Sequence, residues 1–584
     1  VLNRKPKFNA APRHPPPDRI HQLWQIFIEN VDPLTKVVHV PTLRPAIEKA
    51  ASNTATVPRS FEALMFAIYA AAVMSLNDDD CKERFGEPRK ALLSQYTTAT
   101  KRALSRARFM ETTSLVVLQA LVLHLLSVQD IYGPRAIWSL SGVAVRIAQS
   151  MGLERDGMLL NLSPFEAEMR RRIWWLLKAQ DYHAAELCGL HKFRDVDIGL
   201  GSTKRPANLN DAQLFANMLS LPAESETMTD FAFAALRYEL VNFAMSRVAR
   251  FRQQGKADSQ WDSDLASEGN QTGASDSFKE IEELLETKYL RYCDPSQPLQ
   301  LMSMLMARSA MNVIRFLTHH PRRWASINQT PDLERVWVWE ISIKLLEQHS
   351  MLQTNSLLKR FAWYAPSVMQ WHALIHVLDT LRANPLVADA EKAWVLIGNI
   401  YENNPGMVFD TKKAIHVAVG RLCLEAHNAR TAALLQKSNI TPPLTPDFIS
   451  QLSQQRRMAK AKRQAPLTDN SPTDKTTLDG LARDRDIGPN LGAHETAPQA
   501  GGQAPAGGND IDTDPFWLIN GFDDKQADSL NDGGNLDLDF SLAPDYNMEG
   551  GASHAISWEQ WDNWIAESNA ILPFSSAREP EARP

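Results

Sequence analysis

Three consecutive aspartates, Asp78, Asp79 and Asp80, followed by Glu83, are the side chains of this sequence best suited to chemistry. Clustered carboxylates are what a hard divalent cation takes, and such a cluster would hold magnesium against a diphosphate. That chemistry needs a second metal-binding element, and the nearest candidate, Asn210-Asp211, has Leu214 where a hydroxyl should stand. The expected use of the aspartates is therefore a helix-to-helix connection, in which short acidic side chains fold back on the backbone. His183, Cys188 and His191 carry donor types that zinc accepts, but a fourth ligand is not evident, so a helix terminus is their expected role. No Walker A loop, dinucleotide-binding glycine signature, HExxH or G-x-S-x-G element occurs. No catalytic, cofactor-binding or metal-ligating residue is assigned, and the chain is not expected to be an enzyme.

Other patterns point to recognition. Arg170-Arg171-Arg172-Ile173-Trp174-Trp175 would fit nucleic-acid contact if read in isolation. Glu166 and Glu168 stand four residues before Arg170 and Arg172, however, and Ile173 falls on an apolar stripe, so the expected role is architectural. Arg456-Arg457-Met458-Ala459-Lys460-Ala461-Lys462-Arg463 is a basic cluster of the kind used for nuclear import or phosphate contact. Between Asp510 and Asp562, thirteen Asp and Glu face the single Lys525 and are interleaved with Phe516, Trp517, Phe522, Phe540, Tyr546, Trp558 and Trp561. Acidic neighbours keep aromatic rings solvated, so a partner with an apolar groove and a basic rim can capture them as a short helix. Trp558, Trp561 and Ile565 share one helical face.

The elements that must position these residues read as helices. From about Ile20 to Lys437 apolar residues recur at three- and four-residue spacing, with Pro or Gly at the joints, so an all-α body is expected. The run from Leu115 to Val128 predicts a buried helix, too short and too interrupted to span a bilayer. Gly133-Pro134 and Gly152 bracket a helix whose stripe is Leu140, Ala144, Ile147, Ala148 and Met151. Ser163-Pro164-Phe165-Glu166 predicts a capping box opening a helix that reaches about Leu187. Further helices are expected within 299–317, 333–358, 367–381, 388–400 and 412–435. The expected organisation is a basic, proline-rich linker over 1–19, the helical body over 20–437 with a flexible insertion at 254–277, a linker over 438–508 carrying the basic cluster 456–463, and the acidic-aromatic segment 509–584, with the polar and acidic C-terminal tail not expected to fold alone.

Composition agrees. With 584 residues, 44% hydrophobic residues and a mean hydropathy of −0.31, there is enough apolar sequence for a large core together with loose polar segments. A net charge of −6 excludes a chain that is basic throughout, so any contact with nucleic acid must be local or supplied by another module. The four cysteines, Cys81, Cys188, Cys293 and Cys423, are scattered without a CxxC pair, which fits a reducing compartment. No secretory signal pattern opens the chain.

The capping-box stretch Ser163-Pro164-Phe165-Glu166-x-Glu168-x-Arg170-Arg171-Arg172-Ile173-Trp174-Trp175, followed by Asp181 and by Pro206-x-Asn208-x-Asn210-Asp211, resembles the fungal-specific transcription factor domain, or middle homology region, of zinc-cluster (Zn2Cys6) regulators. Leu23-Trp24-x-Ile26-Phe27-x-x-Asn30-Val31-x-Pro33-Leu34 and His39-x-Pro41-Thr42 look like the opening of that domain. The resemblance covers about residues 18 to 435. It implies an all-helical regulatory domain, usually preceded by a six-cysteine binuclear zinc cluster that reads promoter DNA. No such module lies between Val1 and Pro584, so no zinc ligand is carried over, and zinc is expected only if the module lies upstream of Val1. The implied function is a nuclear, pathway-specific activator of a secondary-metabolite gene cluster, with coactivators captured by the tail, a homodimer allowed and no membrane partner. The alternatives are a cluster-less adaptor or corepressor and, from the aspartates, an all-α magnesium-dependent terpene synthase.

Overall fold

The computed structural model describes residues 12–129, 131–132, 134–187, 202–253, 272–318, 331–410, 413–437, 445–464 and 561. Among them every regular element is helical, as the periodicity requires. Helix α1 (Pro17–Ile26) starts on a proline and buries Ile20, Leu23, Trp24 and Ile26. It runs through a π-helical turn, Phe27–Val31, into the short α2 (Asp32–Thr35), which stops where Lys36 turns left-handed at φ 48°. After α3 (Val40–Ser52) comes α4 (Arg59–Met74), in which every residue from Ala63 to Val73 is fully buried. A helix apolar all round must be enclosed by others, and α1, α6 (Arg89–Arg106) and α7 (Leu115–Ser127) enclose it. The short α5 (Asp78–Phe85) links α4 to α6.

Helix α8 (Pro134–Ser150) ends at Gly152, whose φ of 75° reverses the chain. Helix α9 (Pro164–Leu187) packs along α8, and Ser141 donates to Asp181 across the pair at 2.6 Å. Its start differs from the expected box in one half. The Glu166 amide donates to Ser163 Oγ at 3.2 Å, but the Glu166 carboxylate turns outward to Arg170 at 3.1 Å. Helix α10 (Ala232–Gln253) closes this first core.

Helix α11 (Thr272–Lys288) begins inside the expected insertion, and 254–271 lie outside the described residues. Helix α12 (Pro298–Thr318) joins two cores, giving Ala307 and Met311 to the first and Phe316 to the second. The second core is built on α13 (Asp332–Thr354), α14 (Trp371–Ala383), α15 (Ala390–Asn403), the one-turn α16 (Gly406–Phe409) and α17 (Ala414–Lys437). The helix expected over 333–358 stops at Thr354, because the Asn355 side chain accepts from the Leu357 amide and opens a 3-10 stretch, Ser356–Val368.

Two segments expected as linkers contain packed structure. His14, in the proline-rich stretch, stacks on Phe66 with ring centroids 4.4 Å apart. Within 438–508, α18 (Asp447–Gln464) buries Phe448, Ile449 and Leu452 in the second core. Among the described residues no helix is long and apolar enough to cross a membrane.

Candidate functional site

The family-like stretches meet at one buried network of charges. Arg171 and Arg172 lie one turn after Glu168 on α9, and Glu168 and Arg172 are fully enclosed. Arg172 donates through Nη1 to Asp211 Oδ1 at 2.6 Å, and its Nε lies 3.7 Å from Glu168 Oε1. Asp211 Oδ2 accepts from Lys36 Nζ at 2.9 Å, and Lys36 also reaches Asp32 at 3.1 Å and Asp230 at 3.4 Å. His39 Nε2 lies 2.9 Å from the Asp211 carbonyl, while its Nδ1 is 2.6 Å from Thr42 Oγ1.

Arg171 forms a second arm. It donates to both oxygens of Asp156, at 2.8 and 2.7 Å, and lies 3.4 Å from Glu168. Asp156 sits just before Gly157, where a Cβ would come within 2.7 Å of the Ala167 backbone, so the turn can lie flat on α9 because that residue is glycine. Beyond the ions, the Glu168 carboxylate accepts from the Ala207 amide at 3.0 Å, and the Arg172 guanidinium lies 4.6 Å from the centre of the Phe231 ring. Asn208 donates to the carbonyls of Ser225 and Thr227, at 3.2 and 3.3 Å, and Asn210 Oδ1 accepts from the Asp230 amide at 3.0 Å, so the connection after Pro206 is tied to itself as well as to α9.

Electrostatics follow from this enclosure. Burial works against the Asp156 carboxylate, but Arg171 and the Lys204 and Met158 amides hold its pKa at about 2. Burial opposes the Lys36 ammonium too, yet Asp32, Asp211 and Asp230 outweigh it and raise its pKa. Asp211 is held below the usual carboxylate range by Arg172 and Lys36 in spite of its burial. Asp32 goes the other way: burial raises it further than Lys36 lowers it. Carboxylates spent on enclosed cations do not work as acids or bases on a substrate. Chemically the network is a lock that pins residues 32–39, 156–172 and 207–230 together.

The other sequence candidates take different places. Asp78, Asp79 and Asp80 form the first turn of α5, where negative charge favours the helix N-terminus, rather than a bare connection. Asn77 caps that turn, Asp78 pairs with Lys82 and accepts from the Arg89 amide, and Asp80 pairs with Lys359. Asp211, set against a second metal element, is spent on the lock, and Leu214 is buried beside Ala207, Leu209 and Met218. Among the described residues no group of three His, Cys, Asp or Glu could hold a metal ion. His183 lies on α9, whereas Cys188 and His191 fall outside the described residues. Arg456 and Arg457 are exposed on α18. Of Trp558, Trp561 and Ile565, Trp561 is described, and it is 4% exposed within the second core.

Sequence reasoning missed Lys36, Asp32, Asp156 and Asp230. Most of their partners lie far away in the chain, 175 residues between Lys36 and Asp211, where no local spacing announces them. The one available signal was Lys36 four residues after Asp32, the spacing of a helical ion pair.

Residues 24–177 match the fungal specific transcription factor domain. The chain is also 34% identical over 458 residues to the aurofusarin cluster transcription factor aurR2 of Gibberella zeae, covering 77% of this chain and 66% of the relative. Residues 24–177 thus carry the domain of this family of fungal transcription factors. The transcriptional regulator AacuB of Aspergillus aculeatus is 30% identical over 441 residues, covering 75% of this chain and 59% of its own. The pyriculol/pyriculariol biosynthesis cluster transcription factor 1 of Pyricularia oryzae is 38% identical over 239 residues, covering 41% and 32%. The chain thus spans less than two thirds of the length of each of these relatives. The family match ends inside α9 at Leu177, while Asp211 and Asp230, which complete the lock, lie beyond it.

Proposed function

We propose that the protein is a nuclear, pathway-specific regulator of transcription acting on a secondary-metabolite gene cluster. The observation that carries this reading is the similarity over 77% of the chain to a factor named for the aurofusarin cluster, supported by the pyriculol/pyriculariol factor. In this reading promoter DNA is contacted by a C6 zinc module of the kind named in relatives from Aspergillus fumigatus and Aspergillus niger, and zinc is that module's structural metal. The helical body sets the geometry of the assembly, with a homodimer as its natural form. The acidic-aromatic segment 509–584 recruits coactivators by offering indole and phenyl rings in an acidic setting. The exposed Arg456 and Arg457 begin the cluster that directs nuclear import.

Removing the gene in its source organism tests the reading at the level of transcripts. One neighbouring set of biosynthetic genes is expected to fall silent while the remaining transcripts hold. A broad response, or none, would contradict a pathway-specific role. Fusing 509–584 to an unrelated DNA-binding domain is expected to activate a reporter, and Trp558→Ala, Trp561→Ala and Trp564→Ala together are expected to abolish the gain; a silent fusion would remove the coactivator role.

A further inference from the structure

A groove of about 680 Å³ opens between α12, α13 and α15. Leu301, Met304 and Leu305 from α12, Met351 from α13 and Leu396 from α15 give it apolar walls, and Met351 is 43% exposed at its mouth. A concave space of this size, mostly apolar with a few polar groups at its edge, is what a small organic molecule occupies.

The polar groups of the groove divide into two kinds. Most are already used by the protein: Glu347 pairs with Lys392 at 2.6 Å, Gln348 accepts from Asn312 at 3.3 Å, Ser350 Oγ accepts from Asn399 at 3.0 Å, and Asn355 accepts from the Leu357 amide at 2.9 Å. Arg308 is not. It stands exposed on α12, one turn beyond Met304, and among the described residues it has no hydrogen-bond or ion-pair partner. A guanidinium offers five N–H donors and no acceptor, so its natural partner is an anion. The thioethers of Met304 and Met351 adapt to the outline of an apolar body and gain most from an aromatic one.

We propose that this groove is a binding site for an aromatic organic acid, with its rings against Met304, Met351 and Leu396 and its anionic group on Arg308. The site goes beyond the regulatory reading above and does not depend on it. A bound acid joins α12, which contributes to both cores, to α13 and α15 of the second, and it stabilises the folded chain by mass action.

Fluorescence titration of the full chain tests the site with two probes of one shape, anilinonaphthalene sulfonate and the uncharged phenylnaphthylamine. Met351→Trp fills the groove from an exposed position and is expected to abolish a saturable site for both probes. Arg308→Ala is expected to weaken the sulfonate about fivefold and to leave the uncharged probe within about twofold, because the change removes a charge and keeps the walls. Both side chains are exposed, so neither change opens a cavity in the core. Probe binding indifferent to Met351→Trp would overturn the groove as the site. Equal weakening of both probes by Arg308→Ala, or of neither, would overturn the anion seat. Naphthoate is expected to displace the sulfonate at lower concentration than decanoate, and the reverse order would overturn the preference for rings. Binding that falls away as the chain self-associates at rising concentration would give the groove to a second copy and overturn the proposal.

Discussion

The two largest cores among the described residues hold together by different physics. The first encloses charge: Arg171, Arg172 and Lys36 are sealed in with Asp32, Asp156, Glu168 and Asp211, and the ions join stretches far apart in the chain. The second is closed mostly by apolar side chains, from Val338 and Leu346 on α13 to Ile397 on α15, with a few buried polar groups such as Ser342 and His376 among them and Trp561 added from the tail. Its ion pair Arg430 to Glu391 lies at the edge, with the Glu391 side chain 78% exposed. Apolar packing is non-directional, so many arrangements satisfy it nearly equally. A buried ion accepts few geometries, because any arrangement that leaves it unpaired is strongly penalised. The first core should therefore be the rigid frame of the domain, and the second the more adaptable part.

Breaking the frame should have the largest effect. Arg172→Met removes the cation that the buried Glu168 and Asp211 share and is expected to cost about 3–5 kcal/mol, read as a lowered midpoint in chemical denaturation. An apolar deletion in the second core should cost somewhat less: Ile397→Ala, at a fully buried position, is expected to lose about 2–4 kcal/mol by the same measurement. Equal loss from both would blur the contrast.

Acid probes the second core through His376. Burial lowers its pKa from 6.5 to about 4, so the unfolded chain binds the proton more tightly. The stabilising contribution is complete above pH 6.5 and is lost as the pH falls from there to about 4. His376→Phe is expected to flatten the stability profile over that window by up to about 3 kcal/mol, and an unchanged slope would show that the ring takes up its proton as readily in the fold as in the unfolded chain. Asp156 in the first core, held at about 2, keeps its contribution through that window and loses it only as the pH falls from about 4 towards 2. The smallest effect is expected at the edge pair: Glu391→Ala should change stability by less than about 1 kcal/mol, because solvent screens an exposed partner.

What could be read from the sequence was what local periodicity encodes. The Ser163 cap, the proline at the start of α9, the Gly152 stop and the buried run at 115–127 stand as expected, because each depends on neighbours a few residues away. The Arg170–Arg172 run was taken as architecture, and the Glu168 to Arg172 pair, expected from its four-residue spacing, is fully buried. Its enclosure depends on residues 207–231, which no helical spacing connects to α9. Helix α18 escaped notice because its apolar signal is three residues, Phe448, Ile449 and Leu452, ahead of a polar and basic run. Trp561 was legible as an aromatic in an acidic context. Its burial was not, since nothing near it in sequence supplies the pocket.

A double-mutant cycle on Arg172 and Asp211 in the full chain, using Arg172→Met, Asp211→Leu and the pair together, tests the lock most directly. The double variant is expected to be less destabilised than the two single losses added, by at least about 1.5 kcal/mol, because each single change strands the other charge inside the protein. Additive losses would mean that the two residues act independently, and would contradict a charge lock as the device that joins the family's signature stretches into one frame.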